Sequence, residues 1–171
     1  SSIEEVEKKL KKLIRYSAPD PKKITLFIWP EGVFTGYSYN EILNFNHLIK
    51  DNFDKKHFIL LGINTFNKEK NKNFNSLVVV NNKFEILYKY NKKKLVPFGE
   101  VLPFEKFFQN LGLKKITEGY SSFSKGMLQK NIQISNINIL PLICYEIIFP
   151  ELIQSGSNQT NLIVNISEDG G

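Results

Sequence analysis

Apolar residues at the start of the chain recur at the spacing of an amphipathic helix. Ser2 and Glu5 form a capping box ahead of them, and the helical spacing continues to about Tyr16. Two prolines, Pro19 and Pro21, then break the chain before the next apolar segment. We therefore predict a first helix that begins near Ser2 and ends near Tyr16, with a solvated charged face.

Short apolar runs and helical patterns alternate along the rest of the chain. Continuous apolar runs of this length are typical of strands in a sheet that is covered on both faces. The predicted strands are 24–28, 58–63, 76–80, 84–90, 128–134, 137–143 and 161–166, and the predicted helices are 40–51 and 150–154. Residues 67–73 are polar and predict an exposed loop, while Asn81-Asn82 predicts the turn of an antiparallel hairpin at or next to the sheet edge. The pattern favours an α/β sheet covered by helices.

Composition and charge fit one globular domain. The 171 residues are 42% hydrophobic and 13% aromatic, which is enough to form one packed core. The net charge of +6 comes mostly from scattered lysines, and we interpret it as compositional bias because a nucleic-acid surface usually clusters arginine with lysine. No stretch approaches the roughly 18 to 20 apolar residues that span a bilayer. We expect one domain that binds no nucleic acid.

The single cysteine, Cys144, lies where a predicted strand meets a helix. One cysteine excludes an intrachain disulfide. A free cysteine is more often a small buried hydrophobe than a reactive group. A strand-to-helix turn, however, displays a nucleophile well and allows a nearby base or helix end to activate it. Position alone leaves both roles for Cys144 open.

Two further charged residues stand next to apolar segments. Glu31 follows the strand 24–28, behind Trp29 and Pro30. A carboxylate beside a large apolar ring suits a general base, although an ordinary turn acid is the more frequent explanation. Lys92 begins a run of lysines that leads directly into the apolar segment 95–98. Such runs are usually solvated, but the apolar continuation indicates that one of these lysines turns inward.

Three motifs, in this order, resemble a known family. They are Trp29-Pro30-Glu31, then Tyr90-Asn91-Lys92 running into Leu95-Val96-Pro97-Phe98-Gly99-Glu100, then Ile143-Cys144-Tyr145-Glu146 with Phe149-Pro150-Glu151. Together they resemble the nitrilase domain of the bacterial apolipoprotein N-acyltransferases, a branch of the carbon-nitrogen hydrolase superfamily. The resemblance covers most of the chain, and the segment 95–100 is what indicates the acyltransferase branch.

The resemblance implies a role for each motif residue. Cys144 is expected to attack an ester carbonyl, Glu31 to take the thiol proton, and Lys92 to stabilise the oxyanion. The family's interval of eight residues between this lysine and the next acid selects Lys92 over its two neighbours. Three supporting residues are expected to orient the lysine or the thiol, or to shape the site: Glu100, Tyr145 and Glu146.

The reaction implied by the resemblance is a two-step acyl transfer. A phospholipid is expected to donate an acyl chain to the cysteine as a thioester, and the N-terminal amine of a lipidated apolipoprotein to accept it. No metal or cofactor is expected, since His47 and His57 lack ligand-like neighbours. The family implies a bacterial inner-membrane enzyme whose catalytic domain lies on the periplasmic side, held there by transmembrane segments that this chain does not contain.

Both ends of the chain differ from the family pattern. The family's domain opens with a strand, whereas this chain opens with a helix, and Glu168-Asp169-Gly170-Gly171 replaces the family's continuation. We therefore expect residues 1–171 to form a single partial catalytic domain, an α-β-β-α sandwich incomplete at both ends. From these residues alone we expect weak or no acyltransferase activity, and self-association through exposed sheet edges. Two alternatives remain: a soluble amidase of the same superfamily, and a non-catalytic remnant that acts as a binding module.

Overall fold

The structure is a computed structural model that describes residues 3–34, 36–69, 71–95, 131–154 and 159–167. The first half contains, in chain order, α1 (Ile3–Ser17), β1 (Thr25–Ile28), α2 (Tyr39–Leu43), α3 (Asn46–Asn52), β2 (His57–Asn67), β3 (Lys72–Val80) and β4 (Ile86–Asn91). The second half contains β5 (Ile132–Ile134), β6 (Ile137–Ile143), a 3-10 helix (Cys144–Ile148), α4 (Pro150–Gln154) and β7 (Leu162–Ile166). This mixture of strands and helices confirms the predicted α/β class.

The described strands form two sheets. The first has the order β1-β2-β3-β4, in which β1 is parallel to β2 and the remaining pairs are antiparallel. The second has the order β5-β6-β7, in which β6 is antiparallel to β5 and parallel to β7. The predicted hairpin is confirmed, because β4 pairs with β3 and ends the first sheet in the described part of the chain.

Two apolar cores hold these layers together. One lies between the helices and the first sheet, where α1 contributes Val6, Leu10 and Ile14 at helical spacing. The other lies between the two sheets and joins β2, β3 and β4 to β5, β6 and β7. Successive side chains of a strand point to opposite faces, so Leu61 enters the first core and Leu60 the second. The continuous apolar run of β2 is thus explained by a sheet that is covered on both faces.

The predicted helix 40–51 was wrong as one element, because the structure has two short helices there. They are separated at Asn44 and Phe45, whose amides donate to Glu41 O and Ile42 O at 3.4 and 2.9 Å. These are i to i−3 bonds, which tighten the last turn of a helix and end it. The break still leaves Ile42 and Ile49 buried in the first core, so the apolar spacing was interpreted correctly.

The predicted loop 67–73 was also wrong at both ends. Strand β2 continues to Asn67 and β3 starts at Lys72, and these two residues pair directly. Extension of the hairpin satisfies backbone donors and acceptors, and the described polar side chains of this segment remain partly or fully exposed. Backbone hydrogen bonding between the two strands therefore determined the structure here, although the side chains are polar.

In the described ranges no helix is both long and apolar enough to cross a membrane.

Candidate active site

The cysteine occupies a strained turn at the end of a central strand. Strand β6 ends at Ile143, and Cys144 opens the 3-10 helix with a φ of 56°. For a residue other than glycine this left-handed conformation costs about 1–3 kcal/mol, and it persists only where the surrounding structure holds it. The side chain of Cys144 is partly exposed. The predicted strand-to-helix turn is confirmed, and it presents the thiol at the carboxyl end of the parallel pair β6 and β7.

A buried carboxylate, that of Glu146, holds this turn. Its Oε2 accepts hydrogen bonds from the hydroxyl of Tyr90 at 2.9 Å and from the amide of Ile143 at 3.0 Å. Its Oε1 accepts from the amides of Lys93 and Lys94 at 2.6 and 3.0 Å. Glu146 is fully buried, so each of these bonds replaces a bond to water. One side chain therefore joins the turn after β6 to the segment after β4.

The buried carboxylate affects the ionisation of its neighbours. Burial, and then the negative charge of Glu146, raise the pKa of Tyr90 far above its ordinary value. Tyr90 therefore stays protonated and remains a donor to the carboxylate. Burial also lowers the pKa of Lys93, while the charge of Glu146 acts in the opposite direction.

One lysine of the run was predicted to turn inward, and in the structure that lysine is Lys92. It is 2% exposed, and its backbone amide donates to Asn75 O at 2.8 Å. Its Nζ lies 5.4 Å from the ring centroid of Tyr145, the residue after the cysteine. The Tyr145 hydroxyl in turn donates to Leu95 O at 2.7 Å. Lys92 is therefore held next to the cysteine turn, while the two lysines after it are partly exposed.

Glu31 is placed by the end of β1. The amide of Trp29 donates to Leu60 O at 2.8 Å, which continues the pairing of β1 with β2. The indole of Trp29 is buried and donates to Ser17 Oγ at 3.0 Å, which fixes it to the end of α1. Gly32, with a φ of 79°, supplies the left-handed turn that follows. Oε2 of Glu31 is buried as a result.

A glycine within β2 leaves room for Glu31 beside that strand. A Cβ added at Gly62 would lie 2.9 Å from Ile166 Cδ1 and 3.4 Å from Glu31 Cγ. Ile166 pairs with Ile143, the residue before Cys144. Because Gly62 carries no side chain, Glu31 and β7 can both approach the backbone of β2. Gly62 was not among the site residues predicted from the sequence, although a glycine inside an apolar strand is a known signal of close approach.

Three further residues singled out from the sequence are Glu100 and the two histidines. Glu100 lies outside the described residues. His47 is exposed, whereas His57 is buried, where Nδ1 accepts from the amide of Asp54 at 3.0 Å and Nε2 donates to Asp20 O at 2.9 Å. In the described ranges no group of three or more His, Cys, Asp or Glu residues could hold a metal ion. His57 therefore has a structural role, in which it joins two loops.

Comparison with known proteins identifies related sequences. The family model described as carbon-nitrogen hydrolase matches residues 1–170. A protein named apolipoprotein N-acyltransferase from Rhizobium leguminosarum is 30% identical over 167 residues, which cover 91% of this chain and 31% of that protein. A second protein of that name, from Rhodopseudomonas palustris, is 37% identical over 98 residues, covering 57% of this chain and 18% of the relative. The chain therefore spans at most about a third of the length of these curated relatives.

Solved structures share the fold at lower identity. A carbon-nitrogen hydrolase from Helicobacter pylori has a TM-score of 0.65 at 19% identity, covering 98% of this chain and 56% of that one. Nit3 from Saccharomyces cerevisiae, a member of the nitrilase superfamily, has a TM-score of 0.61 at 17% identity, covering 96% and 58%. These structures confirm the predicted nitrilase-like fold.

Replacement of Glu146 by glutamine tests the carboxylate at the centre of the site. The amide has one acceptor oxygen in place of two, so in either orientation two donors would face an NH₂ group. We expect Glu146→Gln to lower the free energy of unfolding by about 1–3 kcal/mol and to slow alkylation of Cys144. Urea denaturation and iodoacetamide labelling measure the two effects. The exposed control Glu69→Gln should change neither, and equal stability of the two variants would contradict this account.

Addition of a methyl group to Gly62 tests the close approach of Ile166 to strand β2. We expect Gly62→Ala to lower the free energy of unfolding by about 1–3 kcal/mol, because the new Cβ crowds Ile166 Cδ1. The double variant Gly62→Ala/Ile166→Val lacks that methyl group and should recover part of the loss. Denaturation of the wild type, both single variants and the double variant completes the cycle. Strictly additive effects would show that the two residues do not touch.

Proposed function

Since the chain belongs to the carbon-nitrogen hydrolase family, we propose that it carries the catalytic residues of an N-acyltransferase. The enzyme moves an acyl chain from a phospholipid, through a cysteine thioester, to the N-terminal amine of a lipidated apolipoprotein. Similarity to the protein named apolipoprotein N-acyltransferase over 91% of this chain supports this choice of branch. The observation that carries the chemistry is the buried Lys92, held 5.4 Å from the ring of the residue that follows Cys144.

In the first step, the thiol of Cys144 becomes acylated. Glu31 accepts the thiol proton, and the thiolate attacks the ester carbonyl of the phospholipid. Lys92 stabilises the negative charge on the carbonyl oxygen of the tetrahedral intermediate. The intermediate collapses with cleavage of the ester C–O bond, and the departing alkoxide takes the proton from Glu31. The products are a thioester on Cys144 and a lysophospholipid.

In the second step, an amine releases the acyl chain. The N-terminal amine of the acceptor attacks the thioester carbonyl, and Lys92 again stabilises the oxyanion. Glu31 accepts the proton that the amine loses and returns it to the sulfur as the C–S bond breaks. An amide forms on the acceptor and the free thiol of Cys144 is restored. Both proposed steps use the side chains of Cys144, Glu31 and Lys92.

The proposed substrates determine where the enzyme acts. Both the lipid donor and the lipidated acceptor reside in a membrane, so the proposed enzyme acts at a membrane surface. The resemblance to the apolipoprotein N-acyltransferases supports the bacterial inner membrane, with this domain on the periplasmic side. The relative from Rhizobium leguminosarum is much longer than this chain, which covers 31% of it. Contacts with the bilayer are therefore expected from regions other than the described residues.

Intact mass spectrometry tests the proposed acyl donor. The intact protein incubated with phospholipid vesicles should gain the mass of one acyl chain, and Cys144→Ala should gain none. Lys92→Ala should form the adduct about 100-fold more slowly, because it lacks the oxyanion-stabilising charge. The exposed Lys83→Ala serves as the matched control and should acylate at the wild-type rate.

The fate of the adduct separates the alternatives. Loss of the acyl mass on addition of a lipidated peptide with a free N-terminus, and not of its N-acetylated form, supports the acyltransferase. Ammonia release from a small amide, without any phospholipid adduct, would replace the proposal with an amidase. Failure to form either product, together with a thiol no more reactive than free cysteine, would favour the non-catalytic binding module.

A further inference from the structure

Two lysine ammonium groups enclose a pair of aromatic rings beside the cysteine turn. Nζ of Lys92 lies 5.4 Å from the ring centroid of Tyr145, and that ring lies 5.5 Å from the ring of Phe149 in an edge contact. Nζ of Lys94 lies 4.6 Å from the centroid of Phe149. We call these four side chains the aromatic ladder. At these distances a cation is attracted to the face of an aromatic ring.

The outer end of the aromatic ladder is closed by an ion pair. Nζ of Lys94 lies 2.8 Å from Oε1 of Glu151, and the pair is half exposed, with side-chain exposures of 38% and 56%. The Lys94 ammonium lowers the pKa of Glu151, chiefly by hydrogen bonding to it. An ion pair this exposed contributes little to stability. The Lys94 ammonium contacts both Glu151 and the ring of Phe149, so the ion pair and the ring contact share one cation.

The aromatic ladder connects the two segments that form the site. Lys92 and Lys94 belong to the segment after β4 in the first sheet, whereas Tyr145 and Phe149 belong to the segment after β6 in the second. Glu146 joins these segments through backbone amides, which fixes the main chain but not the lysine side chains. The aromatic ladder joins the same segments through side chains. It is the part of the connection that reaches the Lys92 ammonium.

We propose that Lys94 is a positioning residue that sets the place of the Lys92 ammonium through Phe149 and Tyr145. This inference rests on the proposed role of Lys92 in stabilising the oxyanion. Without the Lys94 ammonium, Phe149 loses its partner on the outer side and Tyr145 loses lateral support. The Lys92 ammonium then samples positions farther from the developing charge. Misplacement of a catalytic group by about 1 Å can cost about 100-fold in rate, so even a small displacement is measurable.

Four variants of the intact protein test this proposal. Lys94→Met keeps the length of the side chain and removes its charge, so we expect kcat for acyl transfer to fall about tenfold while KM stays within about twofold. Glu151→Gln leaves the cation on Phe149 and should cost only about threefold. Lys94→Arg can keep both contacts and should stay within about twofold of the wild type. Lys11→Met is the matched control, since it removes another exposed ion pair, at 2.6 Å from Glu7 on α1, and should leave kcat unchanged.

Stability and thiol labelling distinguish positioning from a general loss of structure. The melting temperatures of all four variants should agree within a few degrees, because both ion pairs are exposed. Iodoacetamide should label Cys144 in Lys94→Met more slowly than in Lys11→Met, because the Lys92 ammonium is no longer held in place beside the thiolate. Equal kcat and equal labelling rates in these two variants would overturn the proposal. A loss in Lys94→Met that Lys94→Arg does not rescue would also overturn it.

The same experiments separate this proposal from the proposed function. If the wild type forms no acyl adduct from phospholipid, the acyltransferase is refuted, and the labelling rates still decide whether Lys94 acts on the site. If the wild type forms the adduct and Lys94→Met forms it equally fast, the positioning role is refuted while the acyltransferase stands.

Discussion

The site depends on one buried carboxylate that accepts four hydrogen bonds. Glu146 binds the amide of Ile143 before the cysteine and, from the other sheet, the hydroxyl of Tyr90 and the amides of Lys93 and Lys94. A buried charge is tolerated only when such donors replace its water shell. The core between the two sheets is built of mainly apolar side chains, and apolar contacts do not by themselves specify a register. The carboxylate therefore sets how the two segments of the site face each other.

This connection explains how two unfavourable features persist together. Cys144 has a left-handed backbone, and Lys92 is buried, which is rare for a lysine. Neither would survive in an isolated strand end. The turn is held because Glu146 binds the residue before the cysteine, and Lys92 is held because its segment is bound by the same carboxylate and its ammonium faces Tyr145. One network thus holds both the strained backbone of Cys144 and the buried side chain of Lys92 in place, as a preorganised site requires.

Local pattern was sufficient for most of the secondary structure. The helix α1 and the strands β2 and β6 were predicted because apolar periodicity is a property of neighbouring residues. Two of the errors occurred where pairing partners decide the outcome. Residues 67–73 are polar, yet part of this segment extends a hairpin, because backbone donors find acceptors on the adjacent strand. In the same way, i to i−3 bonds at Asn44 and Phe45 divided a helix that side-chain spacing predicted to be continuous.

The sequence by itself determined the α/β class, the strand-to-helix turn at Cys144 and, through motif order, the candidate residues Glu31 and Lys92. Only the tertiary structure decided which lysine is buried, that Gly62 allows Glu31 and Ile166 to approach β2, and that Tyr90, Glu146 and Lys94 connect the two sheets. The physical reason is the separation along the sequence of the residues that interact. Periodicity and turns reflect interactions between near neighbours, whereas the bond from Tyr90 to Glu146 joins residues 56 positions apart and exists only once the sheets have packed.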